Sequence, residues 1–224
     1  MQNQSHQATR PWFPPVWRSR RDGLLMIGGD LSPEWILAAY RRGIFPWPVT
    51  QGDVEILAWF SPNPRAVLEL DNLHVHRRLQ RRLRRGEFEA TFDQAFYEVI
   101  EACAAPRGDS FGTWITPRMR DAYREMHDLG WAHSVEVWQQ GELVGGLYGI
   151  ALGGFFGGES MFHRRRDASK AAVVFLVEHL RERGFQLFDV QQATSHLSRM
   201  GARLIRRDEF LQRLGQCLEL PVSF

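Results

Sequence analysis

Residues 133–162 read HSVEVWQQGELVGGLYGIALGGFFGGESMF. Three apolar stretches, HSVEVWQ, LVGGLYGIAL and GFFGGESMF, are parted by Gln140-Gly141 and Gly153-Gly154, dipeptides suited to tight reversals between antiparallel strands. The uncharged run from Leu143 to Gly158 is shorter than a membrane span and contains seven glycines, so it reads as a hairpin. Downstream, a helix over about 168–183 ends at Gly184. A strand FQLFDV follows, then a short helix near 195–200, a strand ARLI and a last helix DEFLQRL. Upstream come a strand AVLEL, an arginine-rich helix at 74–85 and a strand FEATF. Asp93 then caps a helix through Ala104, and Thr116-Pro117 opens another that stops at Gly130. Three antiparallel strands followed by alternating helices and strands make an α+β layout.

Residues 1–63 differ in character and read as a small N-terminal domain ahead of a larger one at 64–224. Trp12, Trp17, Trp35, Trp47 and Trp59 lie among PWFPP, GIFPWP and FSPNP. One helix is signposted there: Ser32 suits the N-cap, Pro33 the first turn, Glu34 the dipole, and Gly43 ends it.

Composition is that of an ordinary soluble protein, with 44% hydrophobic and 24% charged residues in 224. A net charge of +2 names no partner, although Lys170 is the one lysine among the cations and the rest are arginines. The start, MQNQSHQATR, is polar and lacks the apolar core of a secretory signal. Two cysteines cannot form a disulfide framework. The expectation is a cytoplasmic protein with no membrane segment.

Several constellations carry chemistry. RRLQRRLRR (77–85) places Leu79 and Leu83 on a narrow seam and fans Arg77, Arg78, Arg81, Arg82, Arg84 and Arg85 over the rest. With no acid interleaved, the helix suits an external polyanion or a solvated face. His74-Val-His76 has no cysteine or carboxylate at ligand spacing, so no metal is expected. In FFGGESMF, Glu159 and Met161 fall on one strand face, behind a glycine pair that permits close approach. In LFDVQ (187–191), Asp189 and Gln191 share a face while Phe188 and Val190 take the other. Burying an acid and an amide unpaired is costly, so each serves the other or a substrate. A helix that follows a strand can cradle a phosphate at its N-terminus, usually with glycines to allow close approach; the junction here, RRRDASKAA, is basic but lacks glycine. The strand order resembles the acetyltransferase superfamily (GNAT), but the glycines of its R/Q-x-x-G-x-G/A loop are missing, which points to an acyl donor other than acyl-CoA.

Longer motifs resemble the leucyl/phenylalanyl-tRNA–protein transferases over nearly the whole chain. They are GLLMIGGDLSPEWILAAYRRGIFPWP (23–48), WFSPNPRAVL (59–68), GTWIT (112–116), HSVEVW (133–138), LVGGLYG (143–149), GESMFHRRRDASK (158–170) and DVQ…H…MGA (189–202). Arg199 stands where a serine is common. The resemblance implies a GNAT-like C-terminal domain with a mixed, largely antiparallel sheet and flanking helices, behind a small N-terminal domain. It implies an enzyme that needs no cofactor and moves Leu or Phe, and Met less well, from aminoacyl-tRNA to the N-terminal Arg or Lys of a protein. The product is a degradation signal. It further implies a tRNA contact at the six arginines, Trp114 near the terminal adenosine and Trp47 close by. Leu147, Phe156 and Met161 would surround the amino-acid side chain, and Glu159, Asp189 and Gln191 would form the polar centre. Asp189 would hold the Gln191 NH2 and turn the amide carbonyl toward the attacking amine, while Glu159 would meet the acceptor's cation. An acetyl-CoA-dependent N-acetyltransferase and a non-catalytic tRNA-binding protein are the competing readings.

Overall fold

A computed structural model describes residues 10–51, 54–106 and 113–224; the polar start at 1–9 and Gly112 of GTWIT lie outside the described residues. The N-terminal part contains β1 (Leu24–Ile27), α1 (Pro33–Tyr40), β2 (Phe45–Pro46), β3 (Val49–Gln51), β4 (Val54–Ile56) and β5 (Ala58–Phe60). Strands β1, β5 and β2 form a small antiparallel sheet, and β3 pairs with β4. Ser32 occupies the N-cap of α1 without a side-chain capping bond; Pro33 at the first turn has no N–H to cap.

The remainder comprises β6 (Arg65–Leu68), α2 (Arg77–Arg84), β7 (Glu89–Phe92), α3 (Phe96–Ala104), α4 (Pro117–Asp128), β8 (Ala132–Gln139), β9 (Glu142–Leu152) and β10 (Phe155–His163). After these come α5 (Ala168–Arg183), β11 (Leu187–Gln191), α6 (Ser195–Arg199), β12 (Ala202–Ile205) and α7 (Arg207–Leu218). Seven strands line up as β12-β6-β11-β10-β9-β8-β7. Only β10 and β11 run parallel; the other neighbours are antiparallel. The turn before β9 has positive φ at both Gln140 and Gly141, as a two-residue hairpin of this twist requires.

Buried apolar residues separate by sheet face. On β10, Phe155 joins the cluster that contains α1, α3, α4 and α7, while the next residue, Phe156, joins the one formed with α5 and α6. The first cluster also takes in Phe13, Trp35 and Trp59, so the N-terminal part and the large sheet share a core. Thr116 caps α4 through a bond from the Met119 N–H, and Gly184 ends α5 at φ 83°. Asp93 does not cap α3. It stands at φ 57°, and its carboxylate takes the Ser134 N–H and pairs with His133, leaving α3 to begin at Phe96.

Candidate active site

The parallel pairing of β10 and β11 stops with Gly157 opposite Asp189, although β10 continues to His163. Past that point a cavity of about 790 Å3 opens. Its polar residues include Glu159 and Gln191, and Leu147, Met161, Trp47 and Trp114 line it as well. The two tryptophans stack, with centroids 4.6 Å apart and planes 14° apart. A register shift in β10 between Gly158 and Ser160 bends the strand here. The backbones crowd at this bend: a Cβ on Gly149 would lie 2.3 Å from the Gly157 carbonyl oxygen. The shift also corrects the expected alternation. Glu159 turns to the tyrosines of α1 and α4 on one face, whereas Met161 packs on the cluster of the other.

Glu159 is buried in a ring of hydroxyls. Tyr40 donates to Oε1 at 2.5 Å, Tyr123 donates to Oε2 at 2.8 Å, and the two phenol oxygens are 2.8 Å apart. Three contacts close this ring, but two hydroxyls supply only two protons. A protonated Glu159 supplies the third, so the ring is complete when the acid is neutral. Burial pushes the Glu159 pKa up to about 7, with the Asp189 charge adding to the rise and bonds from Tyr40, Tyr123 and Gln191 opposing it. Burial and the Glu159 carboxylate raise both tyrosines well above the ordinary phenol value. Among the described residues no cation pairs with Glu159.

Asp189 is fully buried and matched by a cation that strand patterns did not single out. Arg65 of β6 donates through Nε at 2.9 Å and Nη2 at 2.7 Å, one bond to each carboxylate oxygen. Its guanidinium lies over the rings of Phe45 and Phe210 and donates to the Gly43 carbonyl at 3.2 Å. The Gln191 backbone N–H adds a bond of 2.9 Å to Asp189 Oδ1. A second register shift falls between Asp189 and Gln191, where Gln191 adopts φ 61°. The expected pairing of Asp189 with the Gln191 side-chain NH2 is therefore corrected. Asp189 holds the Gln191 backbone, and the amide Nε2 donates instead to Glu159 Oε1 at 2.8 Å. That bond leaves the amide carbonyl as the acceptor.

Two further expectations change. Phe156 does not line the cavity; it is fully buried beneath it, edge-on to Phe188 and stacked on Phe224. Arg82 is not an open cation. It bonds Glu87 and Asp167, donates to the Arg166 carbonyl and covers the Phe88 ring. Arg77, Arg78, Arg81, Arg84 and Arg85 are exposed, with no ion-pair partner among the described residues. His76 caps α2 by accepting the Arg78 N–H. The sequence reading missed Arg65, Tyr40 and Tyr123. An arginine opening an apolar run and tyrosines on apolar helix faces carry no signal that separates them from packing residues.

Residues 67–215 match the family model for leucyl/phenylalanyl-tRNA protein transferase, and residues 29–63 match the model of that transferase's N-terminal domain. The chain belongs to this family. A leucyl/phenylalanyl-tRNA–protein transferase from Stutzerimonas stutzeri (strain A1501) is 55% identical over 211 residues, covering 93% of this chain and 92% of the relative. One from Aromatoleum aromaticum is 56% identical over 210 residues, covering 93% and 87%. Among solved structures, a GCN5-related N-acetyltransferase from Kribbella flavida is similar over 76% of this chain and 60% of its own, at 14% identity and a TM-score of 0.40. As a member of the leucyl/phenylalanyl-tRNA–protein transferases, the chain is an aminoacyltransferase with an aminoacyl-tRNA donor and a protein acceptor. No helix among the described residues is long and apolar enough to cross a membrane.

Proposed function

We propose that this transferase moves Leu or Phe, and Met less well, from tRNA to the N-terminal Arg or Lys of a protein, creating a degradation signal. The acceptor α-amine attacks the aminoacyl ester, an amide bond forms, the amine gives up a proton and the tRNA 3′ oxygen takes one as it leaves. An α-amino group titrates near ~8, so a useful fraction is already neutral and the site chiefly has to aim it. Gln191 does the aiming: Glu159 holds its Nε2, and its carbonyl accepts an N–H of the amine. Asp189 acts as a positioning residue, because both its oxygens are already engaged by Arg65 and the Gln191 backbone.

The observation that carries this reading is Glu159, a buried carboxylate that lines the cavity with no cation paired to it among the described residues. An acceptor that brings an Arg or Lys side chain supplies that cation. The stacked Trp47 and Trp114 offer a surface for the terminal adenosine, and Leu147 and Met161 a flexible apolar wall for the transferred side chain. Residues 1–63 serve as the small domain that brings Tyr40 and Trp47 to the transfer domain, 64–224. The exposed arginines of α2 meet tRNA phosphates, and the cytoplasm, where charged tRNA resides, is the working compartment. The test mixes radiolabelled leucyl-tRNA with peptides beginning in Arg, Lys or Ala. Transfer to the first two and not the third is expected; equal labelling of all three would refute the acceptor assignment. Isoleucyl-tRNA, branched at Cβ, should transfer poorly.

A further inference from the structure

The basic junction before α5 has a structure that the transfer chemistry leaves unused. Asp167 occupies the N-cap at φ 69° and gives the helix no side-chain cap, its carboxylate being turned to Arg82 and Lys170. The Ala168 and Ala171 N–H groups bond to the Arg165 and Asp167 carbonyls, but those of Ser169 and Lys170 have no acceptor among the described residues. A helix of 16 residues thus presents the positive end of its dipole with two N–H groups open.

Two side chains point to what belongs there. Ser169, in the first turn, lines the cavity at 8% exposure, and its hydroxyl has no partner among the described residues. His196 of α6 lines the same cavity, and its Nε2 is buried without a partner. Burial, then the nearby Lys170, Arg199 and His163 charges, lowers the His196 pKa, so it stands as a neutral imidazole able to donate. Backbone N–H groups only donate, and a hydroxyl and a neutral imidazole can each donate beside them, so an anion satisfies the whole set. The acid of this neighbourhood, Asp167, is already matched by Arg82 and Lys170.

We propose that Ser169, the first-turn N–H groups of α5 and His196 form a subsite for the phosphodiester on the 5′ side of the donor's terminal adenosine. This rests on the donor reading above: the cavity holds the aminoacyl ester, and that phosphate is the next anion along the RNA from the nucleoside.

The subsite is read by a ratio. Adenosine and adenosine 5′-monophosphate compete with phenylalanyl-tRNA for the wild-type enzyme, and the monophosphate should bind about tenfold tighter, the scale of a hydrogen bond to a charged group. Ser169→Ala, a substitution favoured in helices, and His196→Leu should each remove most of that ratio. His196→Gln, whose amide can still donate, should retain part of it. Because each protein is compared with itself, a general loss of folding does not mimic the result. A wild-type enzyme that binds both compounds equally, or variants with the wild-type ratio, would overturn the subsite. Failure of the wild type to label any peptide from leucyl-tRNA would instead refute the transfer reading and leave the ratio measurable.

Discussion

Replacing Glu159 with Gln should stabilise the protein at high pH and not at low pH. The wild-type carboxyl is carried from an ordinary 4.5 in the unfolded chain to about 7 in the fold, chiefly by burial. Between those values the folded state binds more protons than the unfolded one, so stability falls as pH rises from about 4.5 to about 7 and is level beyond. At about 1.4 kcal/mol per pH unit the full loss is about 3 kcal/mol. Glutamine imitates the neutral acid: its NH2 replaces the carboxyl proton in the ring with Tyr40 and Tyr123, and its carbonyl still accepts from Gln191. Urea unfolding of both proteins, followed by tryptophan fluorescence from pH 4 to pH 8.5, gives the difference directly. Glu159→Gln should match the wild type near pH 4 and exceed it by about 3 kcal/mol above pH 7. A difference that does not vary with pH, or that favours the wild type as pH rises, would refute the closed-ring account.

Other perturbations separate the roles of neighbouring groups. Arg65→Met leaves Asp189 buried without a cation and should cost about 3–5 kcal/mol in urea unfolding. Adding Asp189→Leu should recover much of that loss, and simple additivity of the two changes would contradict the pairing. Replacing Arg81, Arg84 and Arg85 together with Ala should weaken binding of any charged tRNA and flatten the log K against log salt slope by about 2–3. Arg82→Ala should mainly lower stability, because its partners are Glu87 and Asp167; an equal effect of Arg82 on the salt slope would return it to the RNA surface. Phe156→Ala should cost about 3–5 kcal/mol of stability while preserving the order of donor amino acids. A changed donor order in a stable protein would put Phe156 back on the cavity wall.

The strands and helices were legible because their signals are local. Period-two apolar runs bounded by Gln140-Gly141 and Gly153-Gly154 emerged as β8, β9 and β10, and the Thr116-Pro117 start and Gly184 stop bound α4 and α5. Asp93 misled because an acid before an apolar helix has the same local appearance whether it caps that helix or, as here, reaches across to His133 and Ser134 on β8. One face assignment failed, at the register shift in β10, while that of β11 held across its own shift. One extra residue in β10 sends Glu159 and Met161 to opposite faces, and no residue type around Gly157-Gly158 announces where the count slips.

The candidate site was legible as residues and not as partnerships. Glu159, Asp189 and Gln191 stand out in a sequence because a carboxylate or amide inside an apolar strand needs a reason. The reason lies 124 residues away for Asp189, in Arg65, and 119 away for Glu159, in Tyr40. Nothing in the spacing of a chain reports such contacts; strand order does. Inserting β6 between β11 and β12 brings Arg65 beside Asp189, and packing α1 and α4 on the same sheet face closes the tyrosines over Glu159. We propose that this division of partners also divides the roles. Asp189, faced with a fixed guanidinium, holds the backbone of Gln191. Glu159, faced among the described residues with hydroxyls and an amide, keeps a proton affinity near neutrality. Two carboxylates beside one amide thus differ in their partners, because among the described residues only one of them meets an arginine.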